Sequence, residues 1–247
     1  MEEMRKTDAL SDESPELNIS KSRAGAWLEN FWYHYKWHSI VALFVVFAIV
    51  VCTFQMCGKT SYDAYVVYAG QKEISHTAKD GSIEYMTFTS SLKQVARDYD
   101  ENGEVNISLM DLFMLSSKEI EEAQREEDSE VNFVLIDNNN RTFNNTVSFS
   151  EYYLFFISTP LYEEYSDHAG TNYFDTLTGY ASLGDFEYYD DGAILLHSTD
   201  FASLPGFSDL PPDTLIALRL QGYFESDNAK HREAAIDMLK RILSYKA

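Results

Sequence analysis

Cysteine is nearly absent from this chain. Only two of its 247 residues are cysteines. They are Cys52 and Cys57, both toward the end of one apolar run, and residues 58–247 contain none. That excludes a disulfide framework for the larger part of the chain, although exported domains often depend on one. About 190 residues are enough to build a core without it. A cysteine-free exported domain fits a bacterial surface better than passage through an oxidising reticulum.

Positive charge is scarce as well. The chain has 19 basic and 40 acidic residues, and residues 1–57 hold five basic and seven acidic ones. Residues 58–247 are left with 14 against 33, a formal charge of −19. So acidic a domain repels nucleic acid and anionic lipid surfaces, which rules out a nucleic-acid partner and favours a domain facing water.

Enzyme signatures are missing too. There is no G-x-S-x-G, no H-E-x-x-H and no G-x-x-x-x-G-K. His34 and His38 are four residues apart, but they sit among aromatic residues beside the apolar run, where a belt role outweighs a ligand role. His197-Ser198-Thr199-Asp200 follows an expected strand end, a common place for α/β sites, yet no partner set accompanies it.

What is present begins at Trp27. Ser39 to Cys57 reads SIVALFVVFAIVVCTFQMC, 19 residues with no charge and no polar face. A helix of about 20 such residues crosses hydrocarbon. A cleaved signal would start close to the N-terminus and end at a small-x-small site. Here 38 residues precede the run and no such site follows it. Val51 before Cys52 and Met56 before Cys57 argue against a lipidated cysteine. The run therefore reads as an uncleaved transmembrane helix, 39–57. Lys21, Arg23 and Lys36 precede it, whereas Lys59 and Lys72 follow, which places the N-terminus inside the cell and residues 58–247 outside. Residues 24–38 read as a short interfacial helix. Trp27, Phe31, Trp32, Tyr33, Tyr35 and Trp37 form an aromatic belt at the headgroup level, with Lys36 snorkelling. Residues 1–23 are polar and read as a disordered cytoplasmic tail.

In residues 58–247, strands are expected at Tyr62–Tyr68, Glu104–Leu109, Val131–Ile136, Tyr152–Ile157, Ala193–His197 and Thr214–Leu220. Helices are expected at Ile83–Arg97, with Ile83, Met86, Leu92 and Val95 inward, after a cap at Ser116 or Ser117, from Thr159-Pro160 to Tyr165, and at Asn228–Tyr245. Residues 166–192 look irregular. The alternation implies one extracellular α/β domain built on a mixed sheet. Eight tyrosines between Tyr152 and Tyr189 lie among acids; core packing explains them better than sugar stacking.

One motif carries chemistry. Asp98-Tyr99-Asp100-Glu101-Asn102-Gly103-Glu104-Val105 matches the first two-thirds of an EF-hand-type loop. Asp98, Asp100 and Asn102 would offer side-chain oxygens, Gly103 the sharp turn and Glu104 its carbonyl, so the expected cofactor is calcium. The bidentate glutamate of position 12 is replaced by Leu109, with Glu101 and Asp111 as stand-ins. The plainer alternative is a turn rich in Asp, Asn and Gly for backbone reasons.

Phe31 to His38, the turn from Asp98 to Gly103 and the strand ending Leu218-Arg219 together resemble a family of uncharacterised single-pass membrane proteins of Gram-positive anaerobic bacteria. Their F-W-Y-x-Y-K-W-H segment precedes a span and an outer α/β domain. The resemblance implies a domain similar to one lobe of extracellular solute-binding proteins, and no catalytic residues. The expected function is therefore a non-enzymatic, membrane-anchored extracellular binding module. An envelope structural or interaction protein working with other membrane proteins is the alternative, and a hydrolase of envelope polymers the third.

Overall fold

The computed structural model describes residues 23–57, 61–74, 84–125, 131–166, 171–180, 186, 188–222 and 229–246. The expected tail, apart from Arg23, lies outside them, as does Ile83. The chain forms two units, Met1–Thr60 and Ser61–Ala247.

The first unit is the helix α1, Arg23–Cys57. It runs through Ser39 without a break, so the aromatic segment and the apolar run form one element instead of two. No proline or glycine falls between Ala26 and Cys57 to interrupt it.

The second unit is a six-stranded mixed sheet with helices on both faces. Its strands are β1 (Ala64–Gly70), β2 (Ile107–Phe113), β3 (Leu154–Ser158), β4 (Tyr188–Asp190), β5 (Ala193–Leu195) and β6 (Thr214–Leu218), in the order β2-β1-β3-β6-β5-β4. β1 pairs in parallel with β2 and β3, while β3-β6, β6-β5 and β5-β4 are antiparallel. All five residues of β3 and of β6 are buried, as continuous apolar strands covered on two faces should be.

Alternation divides the core. Val66, Tyr68, Leu154, Phe156, Ile216 and Leu218 face one layer, which holds α2 (Glu84–Lys93) and α6 (Ala229–Ser244). Val67, Ala69, Phe155, Ile157, Leu215 and Ala217 face the other, with α4 (Phe133–Ser148) and α5 (Thr159–Ser166). On the first side Phe88, Phe156 and Phe207 form a ring cluster, the Phe88 and Phe207 centroids 4.0 Å apart. Gly206, at φ 88, permits that approach, because a Cβ there would stand 3.1 Å from the Phe88 Cα.

Several expectations shift. Val131–Ile136 is not a strand. Asn132 caps α4 by accepting the Leu135 N–H at 3.1 Å, and Ile136, Phe143 and Val147 then recur at helical spacing toward the core. The short apolar run hid that longer period. In α2, Met86 is 62% exposed and Phe88 takes the inward place. α2 stops at Lys93, so no helix leads directly into the Asp98 turn. β4 emerges from the stretch expected to be irregular. Ser116 does cap α3 (Ser117–Arg125): its N–H and Oγ both donate to Glu119, and the Glu119 N–H returns to Ser116 Oγ.

Arg219, just past β6, is only 1% exposed. Its guanidinium donates to the carbonyls of Tyr152, Val147 and Ser150 and lies 4.3 Å from the Tyr153 ring centroid. It thereby closes the carboxyl end of α4 with a positive charge.

Candidate functional site

The Asp98 turn folds as a set of nested side-chain-to-backbone bonds. Asp98 accepts the N–H groups of Asn102 and Gly103 at 3.1 and 2.7 Å, and Asp100 accepts that of Asn102 at 3.1 Å. Asn102 Oδ1 accepts the Glu104 N–H at 2.8 Å, while its Nδ2 donates to Asp100 at 2.9 Å. Glu101 and Gly103 hold positive φ, 57° and 89°, as the sharp turn requires. The Ser61 hydroxyl and then the Asn102 N–H hold the exposed Asp100 carboxyl below its ordinary range.

A third carboxylate joins them. Asp63 is buried at the entrance to β1 and accepts the N–H groups of Tyr99 at 2.7 Å, Asp100 at 3.3 Å and Asn106 at 2.8 Å. One ligand atom from each of Asp63, Asp98 and Asp100 lies within 4.8 Å of the others. These three could hold a cation. Asn102 and Glu104, the other two expected ligands, join the same turn through the bond from the Glu104 N–H to Asn102 Oδ1. Leu109 is buried in β2, and Asp111, further along that strand, accepts the Ile74 N–H at 2.9 Å and lies outside this carboxylate cluster. Asp63 had no local signal in the sequence: its partners are 36 to 43 residues away. The turn is tied to α6 through the Tyr99 hydroxyl, which donates to Asp237 at 2.6 Å. Burial, and then that bond, push the Tyr99 phenol upward.

In the first unit, Trp27, Phe31, Trp32, Tyr33, Tyr35 and Trp37 are all exposed. Trp27, Phe31 and Tyr35 stack at four-residue spacing, with centroids 5.6 and 5.3 Å apart, so they form one stripe along α1. Trp32, Tyr33 and Trp37 lie off that stripe. The 24 residues Asn30–Thr53 are long and apolar enough to span a membrane, and none of that stretch is buried.

His197 to Asp200 lie in short 3₁₀ turns beyond β5. Ser198 and Thr199 donate to the Leu195 and Leu196 carbonyls, both at 2.7 Å, and Asp200 pairs with Lys246 at 3.2 Å. Both hydroxyl protons are committed to backbone, which is a capping arrangement and not an activated nucleophile. Of the tyrosines among acids, Tyr153, Tyr162 and Tyr165 are core residues. Tyr162 also donates to Asp190 at 2.8 Å, and the N–H of Gly192 joins the same carboxylate.

No family model, no curated protein and no solved structure matches this chain.

Proposed function

We propose that this chain is a single-pass, membrane-anchored, non-enzymatic binding protein. In this reading α1 crosses the cell membrane with its N-terminus in the cytoplasm. The acidic α/β domain, residues 61–247, lies outside the cell and engages a small solute, with calcium at the Asp63, Asp98 and Asp100 carboxylates stiffening its turn. The observation that carries the anchor is the uncovered 24-residue stretch Asn30–Thr53. At 1.5 Å per residue it reaches about 36 Å, enough for a hydrocarbon core of about 30 Å. A soluble protein rarely leaves so much contiguous apolar surface open to water. The belt from Trp27 to Trp37 suits the headgroup layer at one end.

The stacked stripe Trp27, Phe31 and Tyr35 supports a second reading. Interfacial rings need no partner, but an aligned stripe is also a surface on which another membrane protein could pack, so the chain would act in an envelope assembly.

The experiment is extraction and sidedness in cells. The chain should stay with membranes through alkaline carbonate, and protease added to intact cells should remove residues 61–247. Release by carbonate would overturn the anchor, and a protected domain would overturn the orientation. Stoichiometric copurification of another membrane protein, lost on replacing Phe31 by alanine, would favour the second reading.

A further inference from the structure

The parallel strands send their connections to opposite faces of the sheet. β1 leads to α2 in one layer, and β3 leads to α5 in the other. In open α/β sheets the crevice between two such strands, beyond their carboxyl ends, is where ligands bind. Here those ends are Gly70 and Ser158.

Ser158 is 3% exposed, and its Oγ has no hydrogen-bond partner among the described residues. A buried hydroxyl left unpaired weakens the fold that contains it, so its presence calls for an explanation. Its neighbour supplies a second hydroxyl. A Cβ on Gly70 would stand 2.8 Å from the Tyr68 Oη and 3.7 Å from the Ser158 Cβ, so the missing side chain brings the two residues side by side. Tyr68 Oη accepts the Lys72 N–H at 3.4 Å, and among the described residues nothing accepts its proton. Burial raises the Tyr68 phenol far above its ordinary value, which keeps it a donor. α5 starts immediately after Ser158, so the positive end of its dipole adds to the two donors.

Tyr68 and Ser158 are buried, whereas Asp111, the register partner of Tyr68, and Thr159, Pro160 and Asp213, next in the chain to Ser158 and to its register partner Thr214, are half-exposed. The Asp111 and Asp213 carboxylates both act on Tyr68 electrostatically. Two donors and a helix start select a ligand oxygen; two carboxylates repel an anionic one.

We propose that this crevice binds a small uncharged polyol, such as a monosaccharide, whose oxygens accept from the Ser158 and Tyr68 hydroxyls. The proposal rests on the binding reading above for its premise that the domain takes a ligand, and it names the site and the ligand class.

The test is thermal unfolding of the full chain in detergent with glucose, galactose and myo-inositol. Glucosamine and gluconate serve as cationic and anionic counterparts. At least one neutral compound should raise the unfolding midpoint, by about 3–5 °C at ten times its dissociation constant. Ser158→Ala and Tyr68→Phe should each abolish that rise. Ser158→Ala should also leave the unliganded midpoint unchanged or higher, since it removes a hydroxyl that has no partner among the described residues. No rise with any neutral compound, a stronger effect of glucosamine or gluconate, or a lower unliganded midpoint in Ser158→Ala would each overturn the proposal. A rise that survives in both variants removes this site but leaves the binding reading standing. Release from membranes by carbonate removes the anchored reading and leaves this one intact.

Discussion

Two regions of this molecule use the same apolar side chains in opposite ways. Phe44, Val45, Val46 and Phe47 in α1 are exposed, whereas Val66, Val67, Phe155 and Phe156 in β1 and β3 are completely buried. The strands have no choice. Their backbone groups find partners only in neighbouring strands, so the side chains on both faces must meet residues far away in the chain. α1 satisfies its backbone within itself. A helix is for that reason one of the two structures that can give apolar side chains to lipid. Apolarity alone therefore does not distinguish a core element from an uncovered one; whether anything in the protein covers the residue does.

That contrast is most sharply broken or sustained by paired truncations. Phe156 packs against Phe88 and Phe207, with ring centroids 5.9 and 5.0 Å away. Phe156→Ala should destabilise the domain by about 3–5 kcal/mol, the transfer loss plus the cavity left behind. Phe47, 64% exposed, has no such surroundings. Phe47→Ala should leave the domain's denaturant midpoint unchanged and should not release the chain from membranes. Equal losses in the two variants would mean that α1 is packed on the domain like a core helix.

Alkaline titration sharpens the same comparison from within the domain. Burial pushes the Tyr165 phenol up to about 12, against Phe143 at 4.7 Å. Below pH 10 the native and unfolded chains both keep this proton, and its contribution to stability is fully present. Between pH 10 and 12 the unfolded chain has lost the proton while the native one retains it, so stability falls as pH rises. The fall is up to about 1.4 kcal/mol per pH unit for this one side chain. Tyr165→Phe should flatten the decline of the unfolding midpoint over that range. An unchanged slope would show that the Tyr165 phenol is no harder to ionise in the folded domain than in the unfolded chain.

Features fixed by local chemistry were legible in the sequence. The uncharged run at Ser39–Cys57, the Ser116 cap, the apolar strand at β3 and the closing helix expected at Asn228–Tyr245 each declare themselves from neighbouring residues. The failure at Val131–Ile136 has the same origin: six apolar-rich residues look like a strand until Phe143 and Val147 reveal the longer period. What was not legible depends on distance. Asp63 matters because Tyr99 and Asn106 return to it, and Ser158 matters because Gly70, at the end of another strand, lies alongside. A pairing between remote segments leaves no trace in either segment alone. The candidate cation site was accordingly half visible: Asp98 and Asp100 by spacing, the third carboxylate only from the fold.

Asp63 also provides the smallest and most discriminating test of the two regions. Its carboxylate gathers three N–H groups from the turn and from the approach to β2. Removing an anionic acceptor from three donors would be severe in a core, but the turn itself is exposed and water can reach much of it. Asp63→Ala should therefore cost about 1–2 kcal/mol, read as a lower unfolding midpoint of the domain. Retention in membranes should be unaffected, since the three N–H groups held by that carboxylate all belong to residues 61–247. Calcium adds a second reading of the same variant. If the three carboxylates take the ion, calcium at ten times its dissociation constant stabilises the wild-type chain by about 1.4 kcal/mol. The gain should vanish in Asp63→Ala, whose remaining pair, Asp98 and Asp100, lacks the ligand that the position-12 glutamate would otherwise supply. A wild-type midpoint indifferent to millimolar calcium would reduce the cluster to what its hydrogen bonds already make it, a brace that joins the start of β1 to the turn before β2.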